Sequence, residues 1–198
     1  MHKNYLKLIL LTVLMISVAS VCFAAATKSI TVTAIVPGVA NALNVTVSQV
    51  NPVGNVFLQS GPNLPIDFGT LAFDSVNSIF TAQFYYSVDI GVTNNTGGAW
   101  TLTHTANSIQ KDATNNLNNN LNVTFIKMTT PSVGNVLQNV SYANSNNVAL
   151  TSTQLSNGFL RINYGIGTGS GDAPGVLPIT TAKPSGTYSG TVVITLTP

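Results

Sequence analysis

The stretch FTAQFYYSVDIGV, residues 80–92, gives the clearest indication of the fold. Its apolar residues fall at every second position, at Phe80, Ala82, Phe84, Tyr86, Val88, Ile90 and Val92. Successive side chains of a β-strand point to opposite faces, so this alternation predicts one long strand with a single apolar face. The turn cluster TNNTGG, residues 93–98, follows it. We therefore expect AWTLTHT, residues 99–105, to return as the hairpin partner of the long strand.

The same alternation continues along most of the chain, with Gly, Pro and Asn clusters between the segments. It occurs in SITVTAIV (29–36), LNVTVSQV (43–50), NVFLQ (55–59), PIDFGTLAF (65–73), LNVTFIKM (121–128), GFLRINYGI (158–166) and GTYSGTVVITLTP (186–198). No long helical pattern is present. The sequence predicts an all-β fold, a single antiparallel β-sandwich of Ig-like or jelly-roll-like type with about nine or ten strands. The final strand is expected to pair within a sheet.

The first 26 residues have the composition of a signal peptide. His2, Lys3 and Lys7 form a basic start, an apolar run over residues 8–23 follows, and small residues occupy 24–26. This run is short for a membrane-spanning helix and has no basic flank on its far side. We expect cleavage after Ala24 or Ala26, one β-domain over residues 27–198, no membrane span after cleavage, and a location outside the cell, at the cell surface or cell wall.

Removal of the signal peptide leaves a neutral chain without thiols. The only cysteine, Cys22, lies within the signal peptide, so no disulfide or thiolate metal site is expected in the mature protein. The remaining charges balance, with Lys28, Lys111, Lys127, Arg161 and Lys183 against Asp67, Asp74, Asp89, Asp112 and Asp172. A chain with no net positive charge is not expected to bind nucleic acid or an anionic membrane.

Candidate catalytic residues are few. His104 is the only histidine beyond the signal peptide, and it shares a strand face with Trp100 and Leu102, which predicts a position at the rim of the core. No GxSxG nucleophile motif is present. The aspartates are interpreted as turn and loop residues, including Asp172 in GTGSGD. We expect no catalytic residues, no cofactor and no metal, and therefore no enzyme activity.

Several segments resemble the WxL domain of Gram-positive cell-surface proteins. PIDFGTLAF is similar to its early Pro-x-x-Phe-Gly segment, and YYSVDIGVTNNTGGAWTLT resembles its strand, turn and Trp-x-Leu motif, here Trp100 and Leu102. The terminal SGTYSGTVVITLTP lies where the second motif of the family lies, with Ile194 and Leu196 in place of an expected aromatic residue. The resemblance implies a secreted β-domain that binds cell-wall peptidoglycan or another glycan.

A second resemblance is to secreted β-sandwich subunits, namely fimbrial subunits of the colonisation-factor type and spore coat protein U-like domains. KSITVTAIVP and PSGTYSGTVVITLTP resemble their first and last strands, and DFGTL is similar to a coat-protein segment. The first of these segments follows the signal peptide and ends at Pro37-Gly38. It is a candidate donor strand that could complete the sheet of a neighbouring subunit through Ile30, Val32, Ala34 and Val36; the alternative is that the same strand pairs within its own domain, which is favoured for the isolated monomer.

Together these observations favour a secreted, non-enzymatic structural protein of the cell surface. Its expected role is that of a subunit of a fibre, pilus or coat that associates with itself or with other surface proteins. Binding of cell-wall glycan through the WxL-like motif remains the alternative hypothesis.

Overall fold

A computed structural model describes residues 42–94 and 97–198. They form twelve strands and one short 3-10 helix, Tyr142–Ser145, between β8 and β9. The strands are β1 (Ala42–Asn51), β2 (Val56–Gly61), β3 (Ala72–Asp74), β4 (Ile79–Thr81), β5 (Tyr85–Thr93), β6 (Thr101–Ala106), β7 (Leu121–Thr130), β8 (Val133–Ser141), β9 (Val148–Thr151), β10 (Phe159–Ile166), β11 (Ile179–Thr180) and β12 (Val192–Thr197).

All strand pairs are antiparallel, and they form three sheets. The largest has six strands in the order β2-β1-β5-β10-β7-β8, and the two smaller sheets have the orders β11-β4-β3 and β12-β6-β9. A single core of buried side chains joins the six-stranded sheet to the smaller ones, with Phe125 and Ile162 on one side and Leu102, Leu150 and Ile179 on the other. The predicted all-β antiparallel sandwich is thereby confirmed; the described residues alone contain twelve strands, where about nine or ten were predicted.

The alternation over residues 80–92 assigns the inward face correctly, since Tyr86, Val88 and Ile90 are buried. The prediction of one continuous strand is wrong, however. The chain leaves strand geometry at residues 82–84, so that β4 lies in one of the small sheets and β5 near the centre of the large one. The chain passes from one sheet to another without changing which side chains point inward, so the period-2 pattern does not reveal the change.

The predicted hairpin between residues 80–92 and 99–105 is also wrong. β6 does not pair with β5; it crosses to the opposite layer, where it lies between β12 and β9. The partner β12 comes about ninety residues later in the chain, a separation that local turn signals cannot encode. As expected, the last strand pairs within a sheet, and its residues alternate between half-buried and exposed positions.

Only the end of the predicted strand PIDFGTLAF has strand geometry, as β3. The preceding loop is held instead by side chains. Phe68 packs edge-on against Tyr86 at a ring-centroid distance of 5.5 Å, and the Tyr86 hydroxyl donates a hydrogen bond to the Asp67 carbonyl at 2.6 Å. β8, β9 and β11, which the sequence patterns did not predict, supply the additional strands.

Candidate binding groove

The structure brings the two parts of the WxL-like motif together. β6 and β12 are neighbours in register, with Leu102 opposite Leu196. Leu102 is buried in the core, while Trp100, Ile194 and Leu196 are partly buried and pack against it. These side chains therefore contribute to the packing of the sandwich, and Leu102 has no surface available for a wall ligand.

His104 lies deeper than predicted. It is 2% exposed, and not at the rim of the core, because the 3-10 helix packs against β6 and the rings of Phe125 and Tyr164 lie against the imidazole. Its Nδ1 lies 2.8 Å from the Ser145 carbonyl, which can only accept, so Nδ1 bears the proton. Its Nε2 then accepts a hydrogen bond from the Tyr164 hydroxyl at 2.8 Å. Burial lowers the pKa of His104, and the neutral ring serves as a cross-layer connector.

The aspartates stabilise loops and one strand pair. Asp67, Asp74 and Asp112 accept backbone N–H bonds from residues two or three positions later, the pattern of an Asx-turn. Asp172 accepts the amides of Thr168 and Gly169, which closes the GTGSGD loop as interpreted from the sequence. Only Asp89 lies on the middle of a strand.

The candidate donor strand, with Ile30, Val32, Ala34 and Val36, lies outside the described residues, as does the predicted signal peptide. Within the described ranges, no helix has both the length and the apolar character needed to cross a membrane. In the same ranges, no group of three or more His, Cys, Asp or Glu side chains converges as a metal-binding set would.

A row of polar side chains crosses the face of the six-stranded sheet that points away from the core. Each of the six strands contributes one residue to this row, and the register places them side by side. In the strand order β2-β1-β5-β10-β7-β8 they are Ser60, Ser48, Ser87, Asn163, Thr124 and Asn139. The outer members of the row pair with one another. The hydroxyls of Ser48 and Ser60 are 2.8 Å apart, and Thr124 Oγ1 donates to Asn139 Oδ1 at 2.9 Å.

The central pair of this row is different. Ser87 Oγ and Asn163 Oδ1 are both buried, and neither has a hydrogen-bond partner among the described residues. Ser87 as a residue is 2% exposed. A buried polar atom without a partner costs roughly 1–3 kcal/mol, so such atoms call for an explanation.

Arg161 and Asp89 lie beside this central pair, two residues along the same strands. The guanidinium donates through Nε and Nη2 to the two carboxylate oxygens at 2.6 and 2.7 Å, a bidentate pair. Its Nη1 donates to the Pro131 carbonyl in the β7–β8 turn at 3.0 Å. The Arg161 side chain is 11% exposed, and its hydrogen bond with Asp89 raises its pKa. The pair contributes no net charge to this surface.

Two aromatic rings flank the Arg161 guanidinium. The guanidinium carbon lies 5.6 Å from the centre of the Phe57 ring, although β1 and β5 separate β2 from β10. An open groove of about 520 Å³ lies on this face of the sheet. Phe57 and Tyr85 line one side and Ile126 and Val136 the other, with the central polar pair also among the lining residues. We call this feature the Arg161 groove.

Gly134 on β8 shapes one wall of the groove. A Cβ atom at this position would overlap the Met128 sulfur and would lie 2.8 Å from Ile126 Cγ2 and 2.9 Å from the Lys127 carbonyl oxygen. Glycine therefore allows β8 to approach the side chains of β7 at the groove.

Reasoning from the sequence did not identify the Arg161 groove. A signal was available: Asp89 and Arg161 are single charges of opposite sign, each in the middle of a predicted strand. Charges at such positions are usually paired. Their pairing could have been suspected, but the order β5-β10 that brings them together depends on long-range topology.

No protein-family model matches this chain, and no curated protein or solved structure is significantly similar to it.

Proposed function

We propose that this chain is a secreted, non-enzymatic structural protein of the cell surface, a subunit of a fibre, pilus or coat. The observation on which this proposal rests is the composition and exposure of β2, an edge strand of the six-stranded sheet. No other described strand pairs with its outer edge. Val56 and Leu58 are 54% and 52% exposed, and Phe57 is also exposed.

Soluble β-proteins usually protect such edges with Lys, Pro or other charged residues, because an open apolar edge pairs with strands of other chains. The β2 sequence VFLQSG contains no charged residue and no proline. An edge of this kind is suited to accept an added strand, with backbone hydrogen bonds for affinity and apolar side chains for specificity.

The proposed added strand is the segment with Ile30, Val32, Ala34 and Val36, donated by a neighbouring subunit. Its side chains alternate, so its apolar face would lie beside the exposed apolar side chains on one face of β2. This mode of assembly requires no ligand or cofactor.

The absence of enzyme activity is part of the proposal. The imidazole of His104 is buried with both nitrogens bonded to protein groups, which leaves neither of them available to a substrate. The carboxylates of Asp74 and Asp112 accept local hydrogen bonds that lower the pKa of each, so these groups are poor proton donors at neutral pH.

A charge introduced at the β2 edge tests the proposal. Leu58→Lys should prevent strand addition at this edge and give a folded monomer, since surface substitutions usually change stability by about 0.5 kcal/mol or less. Ser156→Lys introduces the same charge in the exposed turn between β9 and β10 and serves as the matched control. Sedimentation velocity should show multimers for the parent protein and for the Ser156→Lys control, and monomers for Leu58→Lys. If Leu58→Lys assembles as the parent protein does, β2 is not the assembly edge.

A further inference from the structure

We propose that the Arg161 groove is a binding site for a neutral saccharide. The inference goes beyond the assembly proposal and does not depend on it, because the groove lies on the outer face of the sheet, whereas strand addition would use the backbone edge of β2. It begins from the two buried atoms Ser87 Oγ and Asn163 Oδ1, which lack partners in a row where the flanking side chains are paired.

These two atoms indicate which polar groups the ligand must present. Asn163 Oδ1 only accepts hydrogen bonds, and Ser87 Oγ can both donate and accept. A ligand that satisfies both must present a donor to Asn163 Oδ1 and, close to it, a donor or an acceptor to Ser87 Oγ; neighbouring hydroxyl groups can fill both roles. The two residues are register partners on adjacent strands, so vicinal hydroxyls of a sugar ring suit their spacing.

The walls of the groove indicate that the ligand must also present an apolar surface. Phe57 and Tyr85 on one side and Ile126 and Val136 on the other present apolar surface to the groove. A pyranose ring has C–H faces that pack on such side chains and a hydroxyl edge that reaches polar groups. Ligand sites commonly combine apolar walls with a few polar groups that fix orientation, and the groove volume of about 520 Å³ lies in their usual range.

The electrostatics of the groove favour a neutral ligand over an anionic one. The Asp89 carboxylate occupies the guanidinium of Arg161 in a bidentate pair, and Pro131 O accepts a third N–H. An anion would have to compete with this pair for the same donors. The ion pair instead connects β5, β10 and the β7–β8 turn.

The test is a titration of the purified, isotope-labelled protein with maltose, lactose, cellobiose and chitobiose, followed by amide NMR shifts. At least one disaccharide should shift the amides of residues 87 and 163 and of the groove walls. Ser87→Ala and Asn163→Ala should each weaken that binding about tenfold or more, as expected for the loss of a hydrogen bond of about 1.4 kcal/mol. Thr124→Ala, in the same row but already paired with Asn139, is the matched control and should bind like the parent protein.

The variants should fold, because each removes a buried polar atom that lacks a partner, and thermal unfolding checks this directly. Three outcomes would overturn the inference: no shift with any of the four sugars, shifts confined to another surface, or equal binding by the parent protein and both groove variants. A separate titration compares galacturonate, which is anionic, with galactose, which is neutral. Preferential binding of galacturonate would contradict the proposal that the ligand is neutral.

Discussion

His104 shows how one residue connects the layers of the sandwich. It lies on β6 in a small sheet, its ring nitrogens bond Ser145 and Tyr164, and its ring packs edge-on against Phe125 of the large sheet at 5.2 Å. The alternation of β6 predicts that His104 points inward. The depth of its burial depends on β10 and the 3-10 helix, which the local sequence does not place.

Burial of His104 makes stability dependent on pH. The folded-state pKa of His104 lies below the ordinary histidine value of 6.5, so below about pH 6.5 the unfolded chain binds a proton that the folded chain does not. Stability should therefore be full above this pH and should decrease as pH falls from 6.5 towards the folded-state pKa. Urea unfolding at a series of pH values from about 7.5 to 5 measures this effect.

The variant His104→Gln provides the control, because glutamine keeps a donor and an acceptor but does not titrate. Its stability should be lower than that of the parent protein at neutral pH and nearly constant over the same range. Asp74 and Asp112 do not contribute over this pH range, since their lowered pKa values affect stability only near and below the ordinary aspartate value of 3.8. A parent protein whose stability is constant or rises on acidification would contradict the role assigned to His104.

At the scale of the elements, β4 and β5 show what a period-2 pattern can and cannot predict. The pattern identified the buried face of residues 86–90, because apolar burial imposes it on any strand. It did not identify the interruption at residues 82–84, where Phe84 turns to pack edge-on against Tyr86 at 5.8 Å. Side-chain alternation reports which face is buried; it contains no information about which sheet a strand joins.

The β7–β8 pair offers a test at the same scale. Gly134→Ala should destabilise the protein by about 1–3 kcal/mol, because the added methyl group forces β8 away from Met128, Ile126 and the Lys127 carbonyl. Gly61→Ala on β2 is the matched control, with no atom within 4 Å of the new Cβ. The control should be neutral or slightly stabilising, since alanine restricts the unfolded chain.

Chemical denaturation of the two variants beside the parent protein measures the difference. Equal stability of the two variants would show that β8 does not approach β7 at Gly134 as described, and the wall of the Arg161 groove would then be misplaced.

At the scale of the whole molecule, the sequence predicted the fold class but not the groove. The fold class follows from the period-2 alternation of apolar residues, which is visible in each segment of the sequence separately. The Arg161 groove follows from the strand order β2-β1-β5-β10-β7-β8, which brings together side chains from residues 57, 85, 126 and 161. Ser87 is a small polar residue on the face away from the core, and its burial depends on neighbouring strands that the local sequence does not identify.

The truncation of residues 27–36 tests the central proposal, assembly by strand donation, most directly. Proteins comprising residues 27–198 and 37–198 are purified and compared by electron microscopy and sedimentation. The account predicts fibres or ordered multimers for the longer protein and soluble monomers for the shorter one, which should capture an added peptide of residues 27–36 at its open edge. Multimers of the same form from both proteins would contradict strand donation.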